Sequence, residues 1–111
     1  MIDNSFRYLG KWEIVQMDAW DKSYIDLVET GFIEFKPDES GEFRFGAVHG
    51  WIFFIVEKIG EVERLAFTWE GKNDSDTASG RGWVEISGDR LNGHLFIHAS
   101  DDSAFKAKKL C

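Results

Sequence analysis

Gly60-Glu61 and the residues on either side of it constrain the fold more than any other part of the chain. Counting outward from this dipeptide, Ile59 meets Val62, and on the face that begins one residue further out Val56 meets Leu65, Phe54 meets Phe67 and Ile52 meets Trp69, three pairs that are all apolar. On the other face the same register sets Glu57 against Arg64 and Ile55 against Ala66. Two extended segments joined by a two-residue turn satisfy both patterns, and a slip of one residue breaks both. An antiparallel hairpin is expected here.

A second dipeptide, Gly88-Asp89, organises residues 80–97 in the same way, pairing Ser87 with Arg90, Ile86 with Leu91, Val84 with Gly93, Gly82 with Leu95 and Gly80 with Ile97. The aliphatic face is expected inside, because exposing Val84, Ile86, Leu91, Leu95 and Ile97 costs more, at ~25 cal/mol per Å², than exposing a Trp and a Phe. Gly80, Gly82 and Gly93 on that face then make room for large side chains arriving from across the core. The reverse face carries Arg81, Trp83, Glu85, Asn92, His94, Phe96 and His98.

The remaining segments also alternate with period two. Strands are expected over about 11–17, 31–36, 42–47 and 103–109, the last with Phe105 and Ala107 pointing in and Ala104, Lys106 and Lys108 pointing out. Pro37 to Gly41 reads as a turn, as does Gly46 to Gly50 with His49 in it, and residues 70–80 read as a long acidic loop. The one helix expected is short, over 21–28 with Asp21 as its N-cap. Eight sequential strands with tight turns predict a single all-β domain over residues 1–111, an up-and-down antiparallel barrel with one short helix after its first strand; a β-sandwich is the alternative.

The entry to the first strand, Gly10-Lys11-Trp12, resembles the Gly-x-Trp signature of lipocalins and their relatives in the calycin group. That resemblance implies an eight-stranded barrel in which Trp12 plugs one end, and a pocket for a small, largely apolar ligand. The chain departs from the family's pattern in the position of its helix and in having no disulfide.

Composition narrows the functions open to such a barrel. The 111 residues include ten Phe and five Trp, too much apolar surface for a disordered segment. The formal net charge of -7 disfavours nucleic acid, since such a field repels phosphates. No apolar run is long enough to span a membrane as a helix, and residues 1–6 lack a leader-like pattern, so a cytoplasmic location is expected. The single cysteine, Cys111, permits no intramolecular disulfide. No cofactor or metal is expected: His94 and His98 lie ~13 Å apart along one strand, and although Asp74, Asp76 and Glu85 have the spacing of a calcium loop, Ala78 takes a ligand position, Ser79 replaces the turn glycine and Glu85 belongs to a strand. No nucleophile, base and orienting group can be placed together, so the reading leans away from an enzyme, with a hydrolase or isomerase working in a barrel mouth as a further alternative.

Two binding readings remain. In one, a small, largely apolar ligand enters the barrel mouth beneath the helix and is contacted by Trp20, Tyr24, Trp51 and Trp69. In the other, the outer surface with Arg81, Trp83, His94 and Phe96 takes a protein partner or a second copy of the chain, making a homodimer.

Overall fold

The computed structural model describes residues 7–110; residues 1–6, with the leader reading made on them, and Cys111 lie outside the described residues. The elements in chain order are β1 (Gly10–Met17), α1 (Lys22–Ile25), β2 (Phe32–Phe35), β3 (Ser40–Phe45), β4 (Val48–Ile59), β5 (Val62–Asn73), β6 (Asp76–Ser87), β7 (Arg90–Ile97) and β8 (Asp102–Lys109). Each strand pairs antiparallel with the next and β8 returns to β1, closing an eight-stranded up-and-down barrel. Both hairpin registers expected from the turn dipeptides are present, Ile59 opposite Val62 and Ser87 opposite Arg90. Gly60 and Gly88 adopt φ of 62° and 64°, the left-handed conformation that such two-residue turns need.

Alternation decides which side chains fill the barrel. Trp12, Ile14, Ile33, Phe35, Phe43 and Phe45 are buried from the first three strands, and Ile52, Phe54, Phe67, Trp69, Val84, Leu91 and Leu95 from the next four. Their rings interlock: Phe35 meets Phe54 edge-on with centroids 5.3 Å apart, and Phe43 meets Trp69 edge-on at 4.9 Å. In the last strand Phe105 and Ala107 point in, as their phase requires. Trp12 sits at one end, its Nε1 donating to the Tyr8 carbonyl at 2.9 Å while the Lys109 ammonium lies 4.6 Å over its ring.

The structure corrects several boundaries. Residues 70–80 are not a loop: β5 runs to Asn73, Asp74-Ser75 turns with Asp74 at φ 59°, and β6 starts at Asp76. Gly46 to Gly50 is a turn only at Gly46-Ala47, and His49 and Gly50 belong to β4. Gly50 carries no side chain because the rings of Phe43 and Trp69 lie across it; a Cβ there would stand 2.4 Å from Phe43 Cε2. The same cover explains Gly82 and Gly93, over which lie Phe67 and Phe105. These rings come from the adjacent paired strands of the same wall, not from across the core. The helix is limited to four residues, with Asp21 as N-cap accepting from the Tyr24 N–H. At its end the Asp26 carboxylate accepts from the Gly31 N–H at 2.9 Å and from Lys22 Nζ at 2.6 Å, and Leu27 and Val28 beyond it are exposed.

Candidate functional site

Of the four aromatics expected at the barrel mouth, Trp20, Tyr24 and Trp69 are linked through packed rings and Trp51 lies on the other face. Trp20 is half-buried, 5.0 Å from Phe45 and stacked with Tyr24 at 6.2 Å, and the Tyr24 hydroxyl accepts from the Ala47 N–H at 3.3 Å. Phe45 stacks on Phe43, and Phe43 packs edge-on against Trp69, whose Nε1 donates to the Phe96 carbonyl at 3.2 Å. Trp20, Tyr24 and Trp69 thus belong to one packed aromatic column. Trp51 does not: Ile52 is the residue opposite Trp69 and points in with it, so Trp51 faces outward, 51% exposed, with His49 against its ring at 4.3 Å. Adjacent residues of a strand take opposite faces, which rules out a shared pocket for Trp51 and Trp69.

The outer face is organised differently. β4, β5 and β6 place Phe53, Thr68 and Arg81 on one level across the wall, and Ile55, Ala66 and Trp83 on the next. β7 extends the two levels with Phe96 and His94. Neighbouring strands are ~4.8 Å apart, so the tall side chains of β4 and β6 stand ~10 Å from one another with only Ala66 and Thr68 between them. Tall walls and a short floor make a trough of about 540 Å³ running along β5. Phe53 is 70% exposed and Ile55 58%, against 1% for Ile52 and 4% for Phe54 on the inward face of the same strand.

The predicted outer cluster of Arg81, Trp83, His94 and Phe96 forms one wall of this trough. Trp83 stacks with His94 at 6.4 Å, His94 with Phe96 at 4.6 Å, and the Arg81 guanidinium lies 4.8 Å over Phe96. Arg64 lies 4.5 Å over Trp83 and pairs with Glu85 at 3.5 Å, yet its buried Nε has no hydrogen-bond partner among the described residues. Arg81 and Glu57 make no ion pair among the described residues, although the register sets Glu57 directly across from Arg64. The residues that sequence reasoning left out of the site are Phe53, Ile55, Arg64, Ala66 and Thr68. Their signal was the outward phase of the first hairpin, where two large apolar side chains stand against Ala and Thr.

Chemically the face offers apolar area, aromatic planes and guanidinium groups. Its histidine is engaged: His94 Nε2 lies 2.5 Å from Asp102 Oδ2. On the flank, His49 shares Nε2 with Glu42 and Nδ1 with Arg44, so Nδ1 accepts and Nε2 donates. Among the described residues neither histidine is bonded to a serine, threonine or cysteine, the pairing that nucleophilic catalysis would require.

The opposite wall of the barrel has none of this character, presenting Lys106 and Lys108 from β8 and Lys11 and Glu13 from β1. No helix among the described residues is long and apolar enough to cross a membrane. What the chain shows is a closed eight-stranded antiparallel barrel with one aromatic outer wall, and no protein-family model, curated protein or solved structure matches it.

Proposed function

We propose that this chain is a non-catalytic interaction module, a calycin-like barrel that binds a protein partner on the outer wall of β4 to β7 and leaves its interior as core. The observation that carries this reading is the stripe of Trp51, Phe53 and Ile55, exposed by 51%, 70% and 58%, beside the trough floored by Ala66 and Thr68. Contiguous apolar surface rimmed by polar groups marks association sites, and aromatic residues and Arg are the types that interface centres favour. The contrast with the charged β8 and β1 wall supports it further, because a barrel that needed only solubility would have no reason to differ between its two sides.

A small apolar ligand in the barrel mouth would have to part rings already in contact, since Trp20, Tyr24 and Trp69 lie in one column with Phe45 and Phe43. Cavities already filled by packed side chains give up that packing to admit a guest. The open trough carries no such penalty.

A photoreactive phenylalanine at position 53, with a control at position 106 on the charged wall, tests the reading in cells that express the chain. Irradiation is expected to give a protein adduct from position 53 and none from position 106. No adduct from position 53 would overturn it.

A further inference from the structure

The face carries both halves of a fit on neighbouring strands: tall apolar side chains on β4, a low floor on β5. Register puts them at matching heights, because Phe53 is level with Thr68 and Ile55 with Ala66. Consider a two-fold axis lying in the plane of contact, parallel to the strands and midway between β4 and β5. It places β4 of each copy over β5 of the other and preserves height along the strands. Phe53 then descends on Thr68 of the second copy, and Ile55 on Ala66, so each copy fills the other's trough.

The charges agree with the same operation. One level further along, Glu57 comes over Arg64 of the second copy, where a carboxylate without an ion pair meets a guanidinium whose Nε has no hydrogen-bond partner among the described residues. The axis also carries β6 over β3, since each lies one strand beyond the central pair. Arg81 then faces Ser40, which is level with Phe53 and flanked two positions away on either side by Asp38 and Glu42. An arginine with no ion pair of its own among the described residues thus meets an acidic strip on an acidic protein. The Phe53, Ile55 and Glu57 levels thus find complementary residues under one symmetry operator, and Trp51 comes over Glu70 at the edge of the contact.

We infer that the occupant of the trough is a second copy of this chain, in an isologous two-fold dimer with β4 of each copy seated on β5 of the other. This rests on the outer wall being the binding face. Sheets packed face to face keep their strands aligned within about 30° and ~10 Å apart, which suits side chains the size of Phe and Ile meeting Thr and Ala. Self-complementarity about a two-fold is also the commonest way a soluble chain assembles.

Light scattering across a concentration series is expected to show twice the chain mass, with the dimer weakened about tenfold or more by Phe53→Asp and by Arg81→Glu. The decisive arm mixes two variants. Arg81→Glu and Glu42→Lys should each associate poorly alone, while an equimolar mixture recovers a dimer, because both cross-copy contacts are then between opposite charges. Circular dichroism matching the parent confirms that each variant is folded. A monomer at every concentration overturns the dimer, and so does a parent dimer indifferent to Phe53→Asp. If the chain is monomeric while position 53 still yields an adduct with a different protein, the dimer fails and the interaction face stands; no adduct at all removes both.

Discussion

Phe43 lies across Gly50, its register partner on the neighbouring strand, so closely that a Cβ on the glycine would stand 2.4 Å from the ring. Trp69 approaches from the other side, at 2.8 Å. Gly50→Ala is therefore expected to destabilise the fold by roughly 1–3 kcal/mol through overpacking. Phe43→Leu in that background should return part of the loss, whereas the two changes taken separately should both destabilise. Urea unfolding of the four chains checks the non-additivity, and simple addition would show that the ring does not press on this position.

Ser103 is 2% exposed and ties the chain entering α1 to β8: its Oγ accepts from the Ala19 N–H at 3.0 Å and donates to the Ala104 carbonyl at 2.8 Å. Removing the hydroxyl leaves the Ala19 donor without its partner. Ser103→Ala is expected to cost about 1–3 kcal/mol. Hydrogen exchange at Ala19 should quicken more than at Leu91 in the core, and uniform behaviour at both would argue against a local bond.

Ile25 and Val28 separate the helix that exists from the longer one the sequence suggests. Ile25 is fully buried, and Val28 is 60% exposed. Ile25→Ala should cost ~2–5 kcal/mol, and Val28→Ser no more than ~0.5 kcal/mol. Thermal melts of the two variants give the answer, and comparable losses would mean that Val28 also packs against the barrel.

The Asp26 carboxyl is held below its ordinary range, first by the Gly31 N–H and then by the Lys22 ammonium. Asp21 is lowered as well, by the Ser23 hydroxyl and then the Tyr24 N–H. A depressed folded value means that ionisation favours the native state. The contribution is present above the unfolded carboxylate range and is lost as pH falls through the lower, folded value. Carboxyl-carbon NMR should give an Asp26 midpoint below that of the unfolded chain, and Asp26→Asn should flatten the acid side of the stability profile. A midpoint at the unfolded value would show that the Gly31 and Lys22 contacts do not persist in solution.

Where burial differs between the two faces of a strand, the sequence recorded it. The hairpins at Gly60-Glu61 and Gly88-Asp89 were legible in full register because one face of each packs inward and the other does not. The hairpin at Asp74-Ser75 was not, since Glu70, Lys72, Asn73, Asp76, Thr77 and Ser79 are all exposed and print no alternation. Losing that turn hid the pairing of Ala66 with Trp83 and Thr68 with Arg81, and with it the trough. Gly50 misled for a different reason: a glycine under an aromatic ring and a glycine in a turn look the same in one dimension. The outer wall of Arg81, Trp83, His94 and Phe96 was readable as a surface, but the half of it that comes from β4 and β5 was not. Trp51 is expected at the barrel mouth, yet Ile52 beside it holds the inward position opposite Trp69.

The pairing of β8 with β1 has a consequence for how anything can be recognised here. At the level of Phe53, Thr68, Arg81 and Phe96 each strand of the wall is paired on both sides, so a visiting chain cannot dock there by adding a strand. Recognition at that level has to be read from side chains alone. Affinity then depends on a few positions that substitution can tune one at a time, and an altered partner preference needs no change in the scaffold that displays them.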